Sequence, residues 1–145
     1  MSRPEKQSVA VVIRNPQEAD KVLTVLRPED DEDLPNVWGL PAATLRPGED
    51  WDAAIVRVGL EKLGVQLKVG NELERGTLER RDYRLEMRLY EAQITKGTPF
   101  VPQPDDAFTQ YTKWKWGTGQ DLQPAAQRGS LCCRLYLRNT NVTQS

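Results

Sequence analysis

The side chains able to do chemistry in this chain are oxygen and nitrogen donors without an imidazole among them. No histidine is present, which removes Ser-His-Asp and Cys-His nucleophilic catalysis and the ordinary histidine-rich zinc sites. What remains for bond cleavage is carboxylate, lysine or tyrosine chemistry, or a metal held by oxygen ligands. Carboxylates stand in the run Glu29-Asp30-Asp31-Glu32-Asp33, at Glu49 after a turn, at Glu61, and in the pair Asp105-Asp106. Cys132 and Cys133 are adjacent, a spacing at which a disulfide is strained, so they read as free thiols of a reducing, cytoplasmic protein. Trp114 and Trp116, two apart on one strand face, suit either core packing or stacking against a nucleobase.

The elements that must position these groups follow from hydrophobic pattern. Ser8 to Arg14 (SVAVVIR) is a β-branched apolar run closed by Asn15-Pro16, a buried strand. Lys21 to Leu26 repeats it as a hairpin partner or neighbouring strand. The acidic run after it is a solvated loop. Val37 to Pro41 is a short apolar element and Arg46-Pro47-Gly48 a turn. A helix runs from Trp51 to Leu63, with Asp50 as N-cap, Asp52 in the first turn and Gly64 as the C′ stop. Its stripe Ile55, Gly59 and Leu63, with Val56 and Leu60 beside it, faces a core.

Strands follow at Val65 to Val69, Thr77 to Arg81, Tyr83 to Ile94 and Thr109 to Trp116, with a loop over Lys96 to Pro104. A closing helix from Ser130 to Arg138 packs Leu131, Arg134, Leu135 and Leu137 around the thiols. Residues 1–7 and 139–145 read as flexible tails of one domain spanning 1–145. Strands, a helix, more strands and a closing helix predict an α/β (α+β) domain with a mixed central sheet between helices.

Composition narrows the partners. The 145 residues carry a net charge of −1, so no overall field draws the protein to nucleic acid or to an anionic membrane. No apolar run is long enough to span a bilayer, and the N-terminus lacks a signal-peptide pattern.

From Trp38 to Val65 the chain reads WGLPAATLRPGEDWDAAIVRVGLEKLGV, and this segment resembles the Nudix box, the signature of enzymes that cleave nucleoside diphosphates linked to another moiety. The family pattern is a glycine, five residues, a glutamate, seven residues, then Arg-Glu-apolar-any-Glu-Glu-any-Gly-apolar. Its loop glutamate falls on Glu49, its arginine on Arg57, the middle glutamate on Glu61, the glycine on Gly64 and the last apolar residue on Val65. The lead-in Trp38-Gly39-Leu40-Pro41 and the turn Pro47-Gly48-Glu49 agree as well. The resemblance implies a Nudix-type α/β/α sandwich, a small phosphate-containing ligand, a Mg²⁺ or Mn²⁺ cofactor and the homodimers common in the family.

The departures from the pattern are chemical. The box glycine is Ala43, preceded by Ala42; the core apolar position is Gly59; and Val58 and Lys62 stand where the family has glutamates. Positions 58, 61 and 62 are i, i+3 and i+4, so they share one helix face. Where the resemblance implies three carboxylates for a metal that acts as Lewis acid and water activator, one is apolar, one is Glu61 and one is a cation. The resemblance leaves Glu49, Arg57 and Glu61 as catalytic candidates, Glu49 and Glu61 as metal ligands, and Lys62, Trp114 and Trp116 as substrate contacts. Lys62 offers a point charge to a phosphate, while the acidic run or Asp105-Asp106 offers outside ligands. Glu49 and Arg57 also suit a purely structural pair. Two functions fit: a weakened pyrophosphohydrolase, or a module that binds a nucleotide or nucleotide sugar without cleaving it.

Overall fold

A computed structural model describes residues 4–29, 31, 34–101 and 111–144. In chain order the elements are β1 (Glu5–Val12), β2 (Val22–Leu26), β3 (Trp38–Gly39), β4 (Ala42–Thr44), α1 (Trp51–Leu63), β5 (Gln66–Glu79), β6 (Arg84–Lys96), β7 (Lys113–Gly117), α2 (Gly119–Gln127) and α3 (Leu131–Gln144). A four-stranded sheet has the order β4-β1-β6-β5, and a three-stranded sheet the order β3-β2-β7. The β1–β6 pair is parallel and its neighbours are antiparallel, so the first sheet is mixed, as the pattern predicts.

β1 explains the layering. Ala10 and Val12 face a core shared with Leu122, Cys133 and Leu135 of α2 and α3. Val9 and Val11 face a second core with Leu23, Val25, Ile55, Val58 and Leu63. Burial on both faces is why SVAVVI is a continuous apolar run rather than an alternating one. The mixed sheet therefore lies between α2–α3 on one side and α1 with the second sheet on the other.

Several boundaries differ from the sequence reading. β1 begins at Glu5, because the polar residues Glu5 to Gln7 pair in register with Arg84 to Glu86; the expected N-terminal tail is strand over that stretch. β1 and β2 belong to different sheets; just past the end of β1 the chain pairs with β2 at the Arg14–Val22 bridge and the bonds around it. The two short strands expected after α1 form one long β5, interrupted by bulges near Val69 and Glu72. Helix α2 was not anticipated; it carries Pro124 inside it, and its start is held by the Thr118–Asp121 capping box. Helix α3 continues past Arg138, where Arg138 bonds Glu74 at 2.8 Å and ties the helix to β5. Of the last expected strand, residues 109 and 110 lie outside the described ones.

Helix α1 matches its expected bounds. The Asp50 carboxylate accepts from the Ala53 N–H at 2.7 Å, and Gly64 closes the helix with φ 64°. Leu60, expected beside the core stripe, is 53% exposed, and Val58 takes the buried place. Gly59 is demanded by packing: a Cβ there would lie 2.7 Å from Leu67 Cγ and 2.9 Å from the Val65 carbonyl oxygen.

Candidate functional site on helix α1

The turn Arg46-Pro47-Gly48 presents Glu49 to the helix, with Gly48 at φ 76°. Arg57 grips Glu49 with both arms of its guanidinium, Nε to Oε2 at 2.8 Å and Nη2 to Oε1 at 3.0 Å, and Nη2 also donates to the Thr44 carbonyl at 2.8 Å. The two side chains are only 14% and 13% exposed. Arg57 is the main cause that holds the Glu49 carboxyl down at about 2, aided by the Arg46 backbone N–H. Glu49 and Arg57 thus lock the loop onto the helix and leave little of the carboxylate for a ligand.

Glu61 lies one turn further along. Arg46 Nη2 reaches its two carboxylate oxygens at 3.2 and 3.3 Å, and Arg57 Nη1 stands 3.7 Å from Oε1. At 45% exposure, Glu61 is open to solvent but bracketed by two guanidinium groups. Lys62 lies half-buried with its Nζ 5.7 Å above the Tyr111 ring. Burial lowers the proton affinity of its ammonium, with Arg57 and Arg27 acting in the same direction. Val58 is fully buried and packs in the same core as Ile55, Leu63 and Tyr111.

Tyr111 and Arg46 are the residues that sequence reasoning passed over. The Tyr111 hydroxyl accepts from the Ala42 N–H at 3.1 Å and donates to the Ala42 carbonyl at 3.3 Å. Its ring is buried, which pushes the phenol up to about 12. It therefore pins β4 beside the helix face as a neutral group. Ala42 and Ala43 sit in an ordinary ladder opposite Ala10 and Val9, a conformation that needs no glycine.

A divalent cation does not fit these residues. Magnesium requires a near-octahedral set of oxygens, whereas here the face offers an aliphatic side chain, an ammonium and a carboxylate already paired with arginine. Among the described residues no three acidic or thiol side chains come together to hold a metal. Of the acidic run, Asp31 binds Arg27 at 2.7 Å and caps the Leu34 N–H at 2.8 Å; Asp30, Glu32, Asp33 and the pair Asp105-Asp106 lie outside the described residues.

Trp114 and Trp116 pack edge to face at 5.8 Å between centroids. Trp116 lines a cavity to which neither Glu49, Arg57, Glu61 nor Lys62 contributes. The structure thus brings Glu49, Arg57, Glu61 and Arg46 together, sets Lys62 beside Tyr111, and packs both indoles against the core that holds Val58 and Tyr111. No helix among the described residues is long and apolar enough to cross a membrane.

Comparison with known proteins agrees with this architecture. No curated protein matches the sequence. A MutT protein from Methanosarcina mazei Go1 superposes with a TM-score of 0.76 at 16% identity, over 100% of this chain and 99% of that one. A NUDIX hydrolase from Nitrosomonas europaea gives 0.71 at 18% identity over 97% and 90%. An ADP-ribose pyrophosphatase from Streptococcus suis 89-1591 gives 0.67 at 13% identity over 97% and 92%. At such identities these likenesses speak for the fold. The sequence itself matches the model of the NUDIX domain over residues 4–129, and with that span covered the chain belongs to the NUDIX domain family.

Proposed function

We propose that this chain binds a small diphosphate-containing ligand, a nucleotide or nucleotide sugar, at the face of α1 and does so through cationic side chains without metal-assisted cleavage. The observation that carries this reading is the inverted charge of the face. Arg46, Arg57 and Lys62 stand against Glu49 and Glu61, and Val58 is sealed in the core. Such a face repels a divalent cation and attracts phosphate oxygens. Arg46 is the most accessible of the three and can exchange Glu61 for a phosphate; Lys62 supplies a point charge from a partly desolvated position, where its field is screened less than in water.

A second reading, pyrophosphohydrolysis, is favoured by family membership and by solved relatives named as a NUDIX hydrolase and an ADP-ribose pyrophosphatase. It places Mg²⁺ or Mn²⁺ at Glu61 and Glu49, helped by acidic residues outside the helix.

Calorimetric titration of ADP-ribose, nucleoside triphosphates and dinucleoside polyphosphates, in EDTA and in Mn²⁺, with chromatography of the products, separates the two. Binding that survives EDTA and yields no monophosphate supports the receptor. Chelator-sensitive turnover overturns it in favour of hydrolysis, through Glu61 if Glu61→Gln abolishes the turnover and with outside ligands if the turnover persists. Neither binding nor turnover sinks both readings and leaves an interaction domain.

A further inference from the structure

The chain changes sheets between β1 and β2. The Ile13 carbonyl accepts from the Leu23 N–H at 2.9 Å and Arg14 bridges Val22, so Ile13 to Asn15 form the vertex from which the two sheets diverge. On the other side, β5 has a bulge between Val69 and Glu72 in its pairing with β6. The wedge between the sheets holds a cavity of about 760 Å³ lined by Ile13, Val69, Ile94 and Trp116 together with Arg14, Lys68 and Glu91.

Its inner side chains face the right way for a ligand and are left partly open among the described residues. Trp116 pairs directly with Leu23 across β2 and β7, so both project from one sheet face toward the core. Leu23 is fully buried, yet Trp116, Val69 and Ile94 on the same core remain only partly buried. An indole and two aliphatic side chains turned inward and left open are what a flat ring fills.

The polar lining sets the charge of the occupant. Glu91 is held by Arg14 at 2.9 Å and by Asn71 at 3.2 Å, and Gly70 makes room for it, since a Cβ there would meet Glu91 Cγ at 2.8 Å. Arg14 neutralises Glu91, and Lys68 leaves the lining net positive. The geometry points to a second ligand site, separate from the face of α1, that takes a planar aromatic ring carrying one anionic group. A mononucleotide and an aryl carboxylate share that chemistry. The site stands independently of the function proposed for α1.

The test is an NMR titration of the ¹⁵N-labelled full chain in EDTA, following the Trp116 indole N–H and the Gly70 amide. Indole-3-acetate, adenosine 5′-monophosphate and tryptamine are added separately. Indole-3-acetate shifts both resonances, and tryptamine, the same ring with the opposite charge, binds at least about tenfold more weakly. If adenosine monophosphate also shifts them the natural source is a nucleotide; if it does not, the source is an aryl carboxylate. Arg14→Ala weakens binding about tenfold by removing a charge-assisted hydrogen bond. Val69→Trp fills the wedge and abolishes binding, and Trp116→Leu weakens it should the larger side chain disturb folding. Neither anion moving these resonances at millimolar concentration, tryptamine binding as well as indole-3-acetate, or shifts confined to α1 overturns the proposal.

Discussion

The sharpest consequence of the α1 geometry concerns Val58→Glu combined with Lys62→Glu, which puts three carboxylates on one helix face at 58, 61 and 62. Val58 has no exposed surface, so the new carboxylate is desolvated and its pKa rises. A rise to just above 7 costs about 3.4 kcal/mol at pH 7. For a domain of 145 residues that lowers the Tm by roughly 10–14 °C. A metal reverses the penalty if the three carboxylates converge: Mn²⁺ at a hundred times its Kd returns about 2.7 kcal/mol, or roughly 10 °C. The wild type, with a buried valine and an ammonium at those positions, gains less than about 1 °C from the same ion. Thermal unfolding of both proteins at pH 7, in EDTA and in Mn²⁺, measures all four states. Wild-type stabilisation equal to that of the double variant refutes the argument, because a metal site would then exist without α1. A variant as stable as wild type in EDTA refutes it differently, by showing that position 58 is wet.

Other outcomes follow from contacts already given. Gly59→Ala, normally favourable in a helix by about 1 kcal/mol, destabilises instead by about 1–3 kcal/mol, because the methyl group meets the Val65 carbonyl oxygen at 2.9 Å; chemical denaturation reads the sign. Tyr111→Phe leaves the Ala42 N–H and carbonyl without the hydroxyl they share and costs about 1–3 kcal/mol by the same measurement. The Glu49 carboxyl is depressed from 4.5 to about 2 in the folded state, so its pairing stabilises fully above pH 4.5 and the gain fades as pH falls toward 2. That acid-labile part is at most about 3 kcal/mol. In Arg57→Ala it is largely absent, so denaturation curves of the two proteins converge on acidification; parallel curves would show that Arg57 does not set the Glu49 affinity.

Sequence pattern disclosed what depends on local chemistry. Helix α1 was legible to its ends because Asp50 and Gly64 are capping residues with a defined geometry, and β1 because a strand buried on both faces must be apolar throughout. The division into two sheets was not legible. It depends on Ile13 and Arg14 pairing with Leu23 and Val22 after Val12 has finished pairing with Glu91, and neither event alters the run of apolar residues. Helix α2 was hidden because Pro124 falls where an N–H is missed but the capping box is strong enough to set the helix. At the site, Glu49, Arg57 and Glu61 were marked by spacing, whereas Arg46 and Tyr111 act across chain separations that no local pattern encodes.

The contacts on α1 divide into two sets with different physical roles. Glu49, Arg57 and the Thr44 carbonyl form a closed hydrogen-bonded unit that ties loop, strand and helix together; it contains its own counter-charge and needs no metal to be satisfied. Positions 58, 61 and 62 lie beside that unit and, with Arg46 over Glu61, set the charge presented to a ligand. A bidentate pair of this kind is therefore evidence of a well-held loop and carries no information about turnover. The sign of charge at the neighbouring helix face is the property that chooses between binding a cation and binding a phosphate, and Arg46 and Lys62 are the side chains whose removal tests that choice.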